Sequence, residues 1–516
     1  MKKFLYPIGV LLAACLFMQT SCSKTVKGRT DDAPALTPSN IDLNAGTWKT
    51  ILLTKADQFV VAAPVATTSP TYVGELNEIK ALQLNINEDQ QAGIKYWSAG
   101  AVLRWNEILR ELVAKYNLPP YQNADGSYPI PNAANPFAYP LFPFSNPPYA
   151  ARAYAYIAAA QYDALVAAWH YKKLYNRQAP YKVDAAVKAL VPAGDLPSYP
   201  SEDAVVAGVT AEMMKLFFPT EVAFIEQKAG EAGRARLLAG ANVRSELDAG
   251  EALGRSVAQV FMARGRADNA GKAVGTPADW AKLETDCKAR GEMPWYSLET
   301  PKRAPMLPMY GNVKAFLFDS ATCIMLRPGP PPLTGSEQMK KETEEVYSYV
   351  KSPSRENLRI VHYWADGVGT YTPPGHWNAI AAEDFIKKNF SEVRWARNIA
   401  LLNMSLMDAG IVCWNTKYFY FNPRPSQVNP AIKTVTGIPN FPSFISGHST
   451  FSGAAAEILS HIIPEKSTQY QAMADEASMS RLYGGIHYRS DCTVGLSVGK
   501  NVGRFAVARA KTDGAE

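Results

Sequence analysis

Ser480-Arg481-Leu482-Tyr483-Gly484-Gly485-Ile486-His487-Tyr488-Arg489-Ser490-Asp491 is the stretch whose reading decides this chain. Five residues separate Arg481 from His487, and Asp491 follows His487 after three more. Further back stands Ser446-Gly447-His448, and before it Lys417 is followed, after six residues, by Arg424-Pro425. Three cations, two histidines and a small-residue turn in this order suit one strongly anionic group. Arginine forks make paired bonds to planar or tetrahedral oxygens, and lysine adds a point charge. Gly447 lets the backbone approach closely, so that its amide and the Ser446 hydroxyl can donate to an oxygen. Asp491 is spaced to hold the His487 ring in one tautomer through its second nitrogen.

The pattern K-x6-RP, SGH, SR-x5-H-x3-D resembles the superfamily of type 2 phosphatidic acid phosphatases, bacterial class A acid phosphatases and vanadium haloperoxidases. The resemblance implies an all-α fold, a helical bundle of the acid phosphatase and vanadium haloperoxidase type. It implies that His487 attacks phosphorus or ligates vanadium, and that His448 is the acid–base group. Lys417, Arg424 and Arg481, with Ser446 and Gly447, would form the oxyanion cage. Trp414 and Phe441 resemble aromatic positions of the halide pocket in vanadium chloroperoxidases, and the segments Tyr363 to Asn378 and Ser480 to Asp491 resemble the bacterial haloperoxidase-like branch. Ile445 stands where those enzymes usually carry proline, and the interval from His448 to Arg481 is shorter than in the fungal chloroperoxidases.

Two activities follow from the resemblance. One is a haloperoxidase with vanadate as cofactor and peroxide and halide as small-molecule substrates, in which Lys417 polarises the peroxide. The other is a phosphomonoesterase without cofactor, acting through a phosphohistidine at His487. A non-enzymatic surface protein that merely binds phosphate is the third reading, disfavoured by the intact set of site residues. Asp366 is a candidate to orient a cage arginine, by analogy alone. His376 suits a structural helix-start position or one beside the cleft, and His170, His362 and His461 receive no role.

The chain has 516 residues and a formal charge of +6, with acids and bases interspersed. No basic cluster is interleaved with aromatics, which argues against a nucleic-acid partner. Met1-Lys2-Lys3, an apolar run from Phe4 to Met18 and a cysteine at Cys22 read as a lipoprotein signal peptide over 1–22. Cys22 is the expected lipidation site, although Gln19 departs from the usual leucine and Leu12-Ala13-Ala14-Cys15 offers a second pattern. These features predict an exported protein, periplasmic or surface-exposed, held to a bacterial membrane by its lipid alone. A flexible tether is expected over 23–48, a helical region over 49–330 and the catalytic unit over 331–516. Cys287 and Cys323 are candidates for a disulfide, whereas Cys413 and Cys492 lie in apolar helical contexts that suit buried thiols.

Helical periodicity dominates from Tyr149 to Tyr171, Ser201 to Phe217, Pro219 to Ala239 and Val243 to Arg264. Ser336 and Ser354 read as N-caps, and Thr372-Pro373-Pro374 as a helix start. Glu392 to Trp414 predicts a long helix delivering Lys417 beyond its end. Further helices are expected from Ser449 to Ile463 and from Ser490 to Ala510. Pro/Gly-rich connectors run from Pro119 to Pro148 and from Pro294 to Pro332. No repeat of fixed period is evident in the sequence, which leaves the relation of the two halves as one helical body packed on another.

Overall fold

The computed structural model describes residues 32–130 and 146–516. The expected signal peptide with Cys22, the first part of the tether and much of the first Pro-rich connector lie outside the described residues. Residues 34–516 form one compact unit. The described residues contain helices and no strand, as the periodicity predicts. None of these helices is long and apolar enough to cross a membrane.

The longer helices are α1 (Pro70–Gln83), α2 (Glu88–Ser98), α3 (Ala101–Tyr116), α4 (Pro147–Tyr175), α5 (Glu202–Phe217), α6 (Val222–Leu238), α7 (Arg244–Arg266) and α8 (Pro277–Ala289). They continue with α9 (Glu337–Lys351), α10 (Arg355–Tyr363), α11 (Thr372–Phe385), α12 (Glu392–Tyr420), α13 (Gly447–Ile462), α14 (Ser467–Tyr483) and α15 (Arg489–Ala510). Side chains of Ser69, Asn87, Asn146, Ser201, Ser336, Ser354, Ser391 and Ser446 cap their helices by accepting a backbone N–H. α1 to α3, α8 and α14 were not read from the sequence. The apolar faces of α1, α2, α8 and α14 are narrow or interrupted, so tertiary packing rather than periodicity decides them, whereas α3 buries Val102, Trp105, Leu109, Leu112 and Val113 at helical spacing. α12 also runs past its expected end, which puts Lys417 inside its last turn.

The structure overturns two expectations. Cys287 and Cys323 are both buried and free; the Cys287 thiol faces the carbonyls of Glu292 and Phe421 instead. More consequential is an internal repeat. α4 to α7 reappear as α12 to α15, with matching residues 245 positions apart. Arg152 on α4 binds Asp268 at 2.7 Å, and Arg397 on α12 binds Asp513 at 2.7 Å. The buried carboxylate of Asp163 accepts the amides of Ile51, Leu52 and Leu53, and that of Asp408 accepts those of Phe316 and Leu317.

Glycine seams draw both copies together. On α7, a Cβ at Gly250 or Gly254 would stand 2.4 Å from Ser201 O or 2.3 Å from Val205 O. On α15, a Cβ at Gly495 or Gly499 would stand 2.9 Å from Ser446 O or 2.1 Å from Thr450 O. Only glycine permits such backbone approach. The α13–α15 seam presses the Ser446 turn against Asp491, with Ser446 N donating to Asp491 O at 3.0 Å. Ser201 N and Glu246 O make the matching bond, also 3.0 Å.

Candidate oxyanion site

The last turn of α12, the start of α13, the end of α14 and the start of α15 meet at one buried point, together with the loop carrying Arg424. Lys417, Arg424 and Ser446 are inaccessible to solvent, and Arg481 and His487 nearly so. His487 Nδ1 lies 2.9 Å from Asp491 Oδ2. The same carboxylate accepts the Ser443 hydroxyl and the Tyr488 amide. Because Asp491 is an acceptor, Nδ1 carries the proton and the Nε2 lone pair is free to accept; Arg424 Nη1 donates to it at 3.0 Å.

Arg424 also binds the carbonyls of Phe441 and Ile486. Lys417 Nζ donates to Pro442 O and Ser443 O, each at 2.9 Å. Arg481 donates to Trp364 O at 2.6 Å and to the Ser480 hydroxyl at 2.8 Å. The Phe441 ring lies beneath two of the cations, 5.0 Å from Lys417 Nζ and 5.1 Å from the Arg424 guanidinium carbon. Trp414 packs on Phe441 at 5.0 Å between centroids and donates its indole N–H to Met306 O.

The site is short of negative charge. Burial, with Arg424 close by, brings the Lys417 ammonium down to about 7. Burial likewise lowers Arg424 and Arg481 to about 10. His487 is held well below the usual histidine range by burial and then by Arg424, Lys417, Arg481 and His448. Burial and the Arg481 charge do the same to His448. Asp491 is pushed up to about 6 by burial, against the pull of Ser443, Lys417 and Arg424. A bound anion would relieve every cation in this set.

Three further observations fit an oxyanion. Arg424 Nη2 and His448 Nε2 are buried and make no hydrogen bond. Gly447 is buried, yet a Cβ placed there would meet only the Trp414 ring, at 3.8 Å. At the first positions of α13, the amides of Gly447 and His448 add a helix N-terminus to the same space. Asp491 Oδ1 is also left without a partner.

All the residues singled out in the C-terminal sequence therefore converge, with Trp414 and Phe441 forming one wall. Ser443 was missed; it receives Lys417 through its carbonyl and fixes Asp491 through its hydroxyl. Its trace in the sequence is only a serine three residues before Ser446. Asp366 differs from its expected role: its carboxylate binds His376 Nδ1 at 3.0 Å and lies 3.7 Å from His448 Nε2, without a hydrogen bond to a cage arginine. His376 stacks on Trp364, so it has both a packing and a site-facing partner.

Residues 398–513, which hold every one of these cage side chains, match the sequence model of the PAP2 superfamily. This segment belongs to the PAP2 superfamily. The chain is accordingly an enzyme of the phosphatase or haloperoxidase type carried by that superfamily. No curated protein matches the chain significantly. Among solved structures, a bacterial vanadium-dependent iodoperoxidase is similar over 79% of this chain and 96% of its own, at 22% identity and a TM-score of 0.58. A holo-type bacterial vanadium-dependent chloroperoxidase is similar over 74% of this chain and 96% of its own, at 12% identity and a TM-score of 0.51. At these identities the likeness establishes the fold, the all-α fold expected of the PAP2 cage.

Proposed function

We propose that this PAP2 protein is a vanadate-dependent haloperoxidase-like enzyme that uses peroxide to oxidise halide. The observation that carries this reading is the Trp414–Phe441 wall, which stands beside Gly447 and against two of the three cage cations, Lys417 and Arg424. It gives a weakly hydrated anion an aromatic surface next to Lys417. The likeness to vanadium-dependent peroxidases supports the reading, because it extends well beyond residues 398–513.

In this reading Lys417, Arg424 and Arg481 hold the vanadate oxygens, and the His487 Nε2 lone pair is the ligand to vanadium. When bound, vanadate supplies a Lewis-acidic centre that activates peroxide. Asp491 keeps the His487 proton on Nδ1, so Nε2 stays available as donor. His448, neutral because of burial and Arg481, is ready to take a proton at Nε2 and later return it. Asp366, 3.7 Å away, favours the protonated form of that ring.

The runner-up is a phosphomonoesterase, which the unprotonated His487 Nε2 and the unpartnered His448 Nε2 also suit. Nε2 would form a bond to phosphorus as the P–O bond to the alcohol breaks, and His448 would protonate the leaving oxygen. One paired measurement separates the two. Bromide, chloride and iodide oxidation is assayed with peroxide after vanadate loading, and p-nitrophenyl phosphate hydrolysis with vanadate-free protein. Hydrolysis inhibited by vanadate, with no halide oxidation, sinks the peroxidase reading. We further propose export and lipidation at Cys22; loss of fatty-acid labelling in Cys22→Ser is the expected result.

A further inference from the structure

The internal repeat places a second constellation where α4 to α7 copy the cage. Lys172 stands at the position of Lys417, Arg236 at that of Arg481, Ser198 at that of Ser443 and Trp169 at that of Trp414. The other positions have changed. Glu202 replaces Gly447, Asp203 replaces His448, Asn242 replaces His487, Glu246 replaces Asp491 and Ala179 replaces Arg424. The architecture around them is retained: Lys172 Nζ donates to Pro197 O as Lys417 does to Pro442 O, and Ser198 donates to Glu246 as Ser443 does to Asp491.

A cavity of about 520 Å³ opens here, within the size range of small-molecule sites. Lys172 and Glu392 both line it. Glu392 opens α12 and Lys417 lies in its last turn, which separates this cavity from the cage by about 37 Å along the helix at 1.5 Å per residue.

The charge balance is reversed. Arg236 is matched by Asp203 at 3.1 Å and by the Asn242 carbonyl oxygen, and the Lys172 ammonium lies 3.8 Å from Glu202 Oε2. The carboxylates of Glu202 and Asp203 therefore sit where the cage would receive an oxyanion. Glu392 adds a third acid, held well above the usual carboxylate range by burial and Asp203, and one of its oxygens accepts the Val102 amide of α3. Two deeply buried polar atoms lining the cavity remain without a hydrogen bond, the acceptor Glu202 Oε2 and the donor Trp169 Nε1. Burial raises the Glu202 carboxyl above the usual range, against the pull of Lys172, and the nearby Trp169 indole completes no hydrogen bond with it.

We propose that this cavity is a binding site for a small organic ammonium compound, and that it excludes the oxyanions its catalytic twin accepts. An ammonium N–H satisfies Glu202 Oε2 and favours the charged carboxylate that burial opposes, and an acceptor group on the same molecule meets Trp169 Nε1. A cavity of about 520 Å³ has room for an organic guest.

The test is calorimetric titration of the full chain with ethanolamine, 1,4-diaminobutane, propionate and vanadate. The expected result is one site for an amine probe, unchanged by vanadate loading, no propionate binding, and a single vanadate site that disappears in His487→Ala. Glu202→Gln should weaken the amine at least about tenfold, the scale of a lost hydrogen bond to a charged group. Trp169→Phe, which keeps the ring, should weaken ethanolamine and serves if Glu202→Gln does not fold. Absence of amine binding at millimolar concentration overturns the proposal. So does amine binding indifferent to both substitutions, or a second vanadate site that survives His487→Ala and is lost in Arg236→Ala.

Discussion

Lys417 and Lys172 occupy the same turn of two matching helices, and both are buried, yet their surroundings favour opposite guests. Around Lys417 the neighbours are Arg424, Arg481, His448 and His487, with Asp491 turned to His487, so positive charge accumulates around a space kept clear by Gly447. Around Lys172 the matching backbone carries Glu202 and Asp203, Glu392 reaches in from α12, and the protein supplies its own acids. Burial lowers both lysines, but at Lys172 the nearby Glu202 and Asp203 oppose it. The comparison separates scaffold from chemistry. The Arg–Asp clamps, the serine bound to the acid at the start of the last helix and the glycine seams are common to both copies. In the proposed function, oxyanion binding depends on the positions that differ, above all those of Gly447, His448, His487 and Arg424.

The sharpest way to break the comparison is to remove the matching residues in turn. His487→Ala is expected to lower kcat/KM by on the order of 10³-fold or more, as for a group that bonds the reacting centre. Asn242→Ala should leave turnover within about twofold, because Asn242 has no part in the cage. Asp491→Asn should cost about 10²- to 10⁴-fold in kcat through loss of the correct His487 tautomer. Glu246→Gln should leave kcat unaltered, and steady-state kinetics on both variants decides the matter.

The seams should respond alike in stability and differently in function. Gly499→Ala and Gly254→Ala each force a methyl group against a carbonyl, and each should destabilise by roughly 1–3 kcal/mol in chemical denaturation. Only Gly499→Ala should weaken vanadate binding, because only its seam positions the Ser446 turn.

The smallest effect concerns pH. With Lys417 at about 7 in the anion-free protein, the unfolded chain binds the extra proton between pH 7 and the ordinary lysine value near 10.4. Lys417 therefore contributes a stability that rises with pH across that window. A bound oxyanion favours the charged ammonium, so vanadate affinity should fall above about pH 7, by up to about tenfold per unit for one linked proton. Calorimetry in buffers of different ionisation enthalpy should register proton uptake on binding. Affinity that is flat from pH 7 to 9 would remove Lys417 from the cage.

The cage was legible because its chemistry is concentrated in short segments: SGH and R-x5-H-x3-D place the essential groups within a turn or two of helix. Ser443 and the pairing of Asp366 with His376 escaped notice because they depend on contacts across the fold, where sequence spacing carries no information. The repeat escaped for a related reason. Asp163-Ala164, Trp169, Lys172 and Tyr175 do recur as Asp408-Ala409, Trp414, Lys417 and Tyr420, but substituted positions separate them, and most of those serve only to fill apolar space.

Sequence alone thus determined the all-α class, the PAP2 pattern and the identity of the cage side chains, since helix periodicity and local motifs are written in neighbouring residues. Tertiary structure alone decided which nitrogen of His487 carries the proton, which polar atoms are left unpaired, and that the molecule contains the cage's scaffold twice. Those properties depend on contacts between residues far apart in the chain, and on where burial removes water from charge.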